Sequence, residues 1–184
     1  MTVIDELQRD HVNLGRLLEI LDRKIIKLKS GHHPNFNLMA DVVDYIANYA
    51  EEHHHPREDK IYAHFKGRDE QLDQALLECE AQHVELRGNA EKLLSVIDDI
   101  LNDAVIPMDE FIAHLELFVE NEKSHMRMEE IAVFPLIRDV ATDPDWEHTS
   151  ALAPAVNDPL FGERLADEYR DLYQQLLDDI EQSA

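Results

Sequence analysis

Apolar residues recur at three- and four-residue intervals along four long stretches of the chain, roughly residues 3 to 29, 37 to 66, 70 to 103 and 108 to 140. That spacing repeats one face of an α-helix, and strand-like alternation is absent. The breaks fall on SGHHPN, KGRD and DAVIP, segments rich in helix-stopping residues. Connections this short place sequential helices antiparallel. The pattern therefore predicts an all-α protein whose residues 1 to 140 form an up-down-up-down four-helix bundle. After residue 141 the text turns Pro- and Asp-rich, TDPDWEHTSALAPAVNDPLFG, before helical spacing resumes from about 163 to 181. Trp146, Leu160, Phe161, Tyr169, Leu172 and Leu176 make this extension, residues 141 to 184, too apolar to stand free. It is expected to pack a fifth helix on the bundle.

A chain of 184 residues supports one well-buried core. Forty acidic against seventeen basic residues give a formal charge of -23, which repels nucleic-acid phosphate and anionic membrane surface. Neither partner is expected. No segment is apolar for long enough to span a bilayer, and the first residues carry charge where a secretory signal carries an apolar run. Cys79 is the lone cysteine, which fits a reducing compartment, so the expected location is the cytoplasm. Eleven histidines beside only five glycines still need a reason.

Helical phase sorts the histidines, because residues four apart share a face while neighbours diverge by about 100°. In EEHHHPREDKIY the adjacent His53, His54 and His55 therefore cannot all point inward. His54 shares a stripe with Glu58, Ile61 and Phe65, whereas His55 and Asp59 point away toward solvent. The residue four after His53 is Arg57, a permanent cation that cannot bind a metal. Pro56 removes one backbone hydrogen bond, and a one-residue slip of phase there would bring in His53 instead. In the fourth helix His125 and Glu129 share a stripe with Phe111, Phe118, Ala132 and Leu136, and Glu130 lies off it. His11 joins Ile4, Leu7, Leu14 and Leu18, and His83 joins Leu76, Cys79, Leu86 and Ala90.

Each helix thus turns one histidine to the interior, and two add a carboxylate one turn later. Burying two glutamates uncompensated costs several kcal/mol, which a cationic metal centre offsets. Four imidazoles and two carboxylates exceed the needs of one tetrahedral zinc. They suit two ions, with glutamates bridging a pair of irons and positions left for O2, NO or peroxide. A ferritin-like oxidase is a rival, since Glu51 with His54 and Glu122 with His125 have ExxH spacing. That fold, however, wants inward glutamates where this chain has His11 and His83. Glu122 is expected to hydrogen-bond a ligand histidine, Cys79 to pack in the core, and Tyr45, Tyr49 and Tyr62 to flank the site. His114 lies too far along its helix from His125 to join, and His32 and His33 read as an exposed turn beside Pro34.

The phrases LQRDHVNL, HHHPRED, EAQHVEL and HMRMEEIAVFPL resemble the hemerythrin-like HHE cation-binding domains over residues 1 to about 140, the last phrase most specifically. The resemblance implies a non-haem centre of two iron ions, carboxylate-bridged with an oxo or hydroxo group, held by His11, His54, Glu58, His83, His125 and Glu129. Oxygen carriers of that family have a histidine where this chain has Arg87, and Asp where it has Glu129. The pattern H, HxxxE, H, HxxxE is similar instead to a subgroup that includes NO-responsive and iron-sulfur-cluster repair proteins. It implies binding or sensing of O2, NO or peroxide, with enzymatic NO or peroxide detoxification or cluster repair as the alternative.

Overall fold

A computed structural model describes residues 2–162 and 167–183, with side chains of the last helix described as far as Asp178. The chain forms helices α1 (Val3–Lys29), α2 (Phe36–Tyr49), α3 (His55–Phe65), α4 (Glu70–Leu101), α5 (Met108–Met128), α6 (Phe134–Val140), α7 (Asp143–Leu152) and α8 (Arg170–Ser183). No strand occurs among the described residues, and none of their helices is long and apolar enough to cross a membrane. The expected helical bundle is present. Residues 163 to 166 of the predicted last helix lie outside the described residues.

Local signals explain the helix ends. Thr2 caps α1 in a reciprocal box with Asp5, Asn35 caps α2 and Asp69 caps α4, each oxygen accepting from an otherwise unpaired N–H. Gly31 (φ 81°) and Gly67 (φ 85°) take the left-handed backbone where the chain leaves α1 and α3, a conformation that costs other residues more.

Two helices that the periodicity predicts as continuous are each broken by one wide turn. Ala50–His54 and Glu129–Val133 are π-helical, with His55 N–H reaching back to Ala50 O and Phe134 N–H to Glu129 O. A proline follows one residue later in both cases, Pro56 and Pro135. In a continuous α-helix each ring would clash with the carbonyl four residues back and supply no N–H, and the widened turn absorbs both defects. Each wide turn adds a residue without adding a turn, so the face presented beyond it shifts.

Most buried apolar residues among those described fall into two clusters. One gathers Leu14 to Leu28 of α1 with α2, Ala90 to Ile97 of α4 and Phe111 to Met126 of α5. The other gathers Val3 to Leu7 of α1 with Ile61, Tyr62 and Phe65, Leu72 to Cys79 and Val133 to Ile137. On α1 and α4 the candidate metal ligand sits between the two, and on α5 His125 lies at the end of the first cluster beside Met126.

Described residues of the C-terminal region touch both clusters. Leu160, Leu172 and Leu176 are buried, Phe161 and Tyr169 rest on the first cluster and Trp146 on the second. The stretch TDPDW, which carries too little apolar periodicity to announce a helix, starts α7 through a box between Thr142 and Asp145. Buried Arg57 donates to the carbonyl of Ala153 (3.4 and 3.3 Å) and to Glu6 (2.7 Å). Asp158 accepts from the Tyr45 hydroxyl at 2.6 Å and from the backbone N–H groups of Leu160 and Phe161.

Candidate metal centre

His11, His54, Glu58, His83, His125 and Glu129 are all buried, the two glutamates completely. Helical phase on α1, α4 and α5 is enough to aim His11, His83 and His125 inward. The structure brings these six side chains into one polar layer, and it adds a seventh. His55 is 6% exposed and belongs to a group with Glu58, His83 and His125 whose ligand atoms all lie within 4.8 Å of one another. His11, His54, Glu58 and Glu129 form a second such group.

The expectation that His55 meets solvent is therefore wrong. It assumed unbroken α-helical phase, whereas the π-helical turn ending at His54 lets two consecutive histidines face the interior. His55 stacks on His83 with ring centroids 4.0 Å apart and planes inclined by 15°. His53 instead sets its ring edge-on to Tyr49, so the slip of phase recruits its neighbour two positions on. His32 and His33 are exposed, as their turn predicts.

Glu58 stands between the two groups. Its Oε1 lies 3.0 Å from His54 Nε2 and 3.8 Å from His11 Nε2, and its Oε2 lies 3.5 Å from His83 Nε2. Glu129 presents Oε2 to His11 Nε2 at 3.3 Å and to His125 Nε2 at 3.4 Å. Its other oxygen accepts from the Tyr62 hydroxyl at 2.6 Å, with Cys79 Sγ at 3.7 Å. Cys79 thus packs in the core as expected but also touches the site.

Acceptors outside the layer aim the rings. His11 Nδ1 donates to Glu130 at 3.1 Å and His125 Nδ1 to Gln82 at 3.0 Å, while His55 Nδ1 lies 3.4 Å from Glu51. His54 Nδ1 and His83 Nδ1 face Asp10 and Asp59, each at 3.5 Å. In every case Nε2 is left pointing at the layer, the tautomer a metal would need. Glu122, expected in this role, makes no hydrogen bond among the described residues. Glu130 lies off the apolar stripe, and its contact with His11 crosses between helices, which periodicity along one helix cannot reveal.

Electrostatics follow from this crowding. Burial opposes charge on His54, but Glu58 and Asp10 outweigh it and raise its pKa to about 9. The same balance, with Asp59 and Glu58, raises His83 to about 10. Burial is opposed likewise at Glu58, which His54, His11 and His83 hold well below the usual carboxylate range. Burial and the neighbouring His83 push His55 down to about 2, leaving it a neutral imidazole.

The donor set fits a cation. Both oxygens of Glu58, Oε2 of Glu129, and Nε2 of His83 and His125 are sealed from solvent without a hydrogen bond among the described residues. Orphaned acceptors this dense are costly unless a positive centre sits among them. A helical bundle with a buried histidine and carboxylate layer defines a metal-binding class of protein. The match of residues 2–137 to the model of the hemerythrin HHE cation binding domain places the chain in that family. Neither curated proteins nor solved structures give a significant match.

Proposed function

We propose that the layer holds two iron ions and that the protein binds or senses O2, NO or peroxide there. His11, His54 and Glu129 would hold one ion and His55, His83 and His125 the other, with Glu58 spanning both. The observation carrying this reading is the set of orphaned, inward-facing Nε2 and carboxylate atoms in two groups that share Glu58. Iron in these positions would supply redox change and open coordination sites for a small ligand. The surrounding residues do the rest. Glu130, Asp10, Asp59, Glu51 and Gln82 fix the imidazole tautomers, Tyr62 steadies Glu129, and the two apolar clusters keep bulk water out.

A ferritin-like oxidase is less well supported. It would need Glu51 and Glu122 as ligands, yet Glu51 pairs with Arg87 and Glu122 belongs to neither group.

Metal analysis and absorption of aerobically purified protein test the reading. We expect about two irons per chain with near-ultraviolet absorption, and about half that content or less in Glu58→Ala and His54→Ala. A chain without transition metal, whose melting temperature ignores chelators, would sink it.

A further inference from the structure

Beside the metal layer, on the His55 side, lies a pocket of about 170 Å³. That is room for several water-sized molecules at ~30 Å³ each. Its inner wall includes His55 and Glu122, and buried Ala50 and Ala90 leave space that any larger side chain would fill. Glu51 and Arg87, ion-paired across the gap between the first π-helical turn and α4, stand at its solvent end with side chains 27% and 54% exposed.

Glu122 is the unexplained member. It is 5% exposed, lines the pocket, and has no hydrogen-bond partner among the described residues. We propose that this pocket is the ligand chamber of the metal centre and that Glu122 is its hydrogen-bond acceptor, selecting a small neutral hydroperoxide over O2 or NO. The inference rests on the metal-centre reading above and names its ligand class. A carboxyl group keeps an acceptor oxygen in either protonation state, and hydrogen peroxide carries an O–H to meet it, whereas O2 and NO carry no donor. Glu91 in the same wall opposes anions, the charge of Glu51 being met by Arg87. Burial pushes the pKa of Glu122 up to about 7, as expected of a carboxyl with no protein donor.

Stopped-flow mixing of iron-loaded, reduced protein with hydrogen peroxide, and separately with NO, tests this, with iron content and melting temperature recorded for every variant. Glu122→Leu should lower the second-order rate constant for peroxide about tenfold and leave that for NO within about threefold, while Glu122→Gln, which keeps an acceptor, should stay near wild type with both. Ala90→Leu should slow both reagents by filling the shared chamber, and Ala50→Leu replaces it if Ala90→Leu melts early. Equal effects of Glu122→Leu on the two reagents, no effect on either, or loss of iron would overturn the assignment, as would a full-speed chamber-filling variant. A wild-type chain that binds no iron would remove the metal reading itself, an outcome distinct from these.

Discussion

Glu58 and the histidines around it hold one another in unusual charge states. In metal-free protein the raised pKa values of His54 and His83, about 9 and 10, mean that the folded chain grips their protons more tightly than the unfolded chain, whose value is 6.5. That stabilisation is complete below about pH 6.5 and is lost as pH rises through 9 to 10. Glu58, depressed in the fold, contributes stability that is present above the ordinary carboxylate value and is lost in acid. Metal-free protein should therefore melt highest in weakly acidic solution, and its melting temperature should fall steadily from about pH 6 to pH 10. Metal competes for the same nitrogen atoms, so its apparent affinity should rise across that range. Thermal melts with and without chelator would show the two opposite slopes.

At the scale of an element, the wide turns ahead of α3 and α6 decide which side chains reach the layer. Deleting Glu52 removes the added residue and returns α2 and α3 to one phase. We expect helical content by circular dichroism to hold within about a tenth, and bound metal to fall to about half or less. Unchanged metal content would show that the turn is dispensable. These turns also explain what the sequence could disclose. His11, His83 and His125 were legible because each follows an uninterrupted apolar stripe. His54 and Glu58 were legible because four-residue spacing survives from the last residue of the wide turn into α3. His55 was not, since two adjacent residues never share a face of a regular helix, and a proline signals a disturbed ladder without saying which way phase will shift. Glu130 and Gln82 were hidden for another reason. Their partners, His11 and His125, sit on other helices, so only tertiary structure pairs them.

For the whole molecule, every candidate ligand lies in the first 140 residues, while the later chain covers apolar flanks of α2 and α3. Leu160, Leu172 and Leu176 together bury enough side chain to contribute about 5 kcal/mol before ordering costs. A chain ending at residue 140 should still bind metal yet melt about 10 °C lower. Loss of metal binding on truncation would instead tie the extension, through Ala153 and Arg57, to the site. Calorimetry with metal analysis on the shortened chain distinguishes these outcomes.

The charged layer between two oily clusters also sets alignment. Sliding any one rod by a single turn, about 5.4 Å, would drive an imidazole or carboxylate into hydrocarbon and strand its former neighbours. Hydrophobic packing alone tolerates many such offsets, and this stratum permits one, so the bundle carries its own ruler.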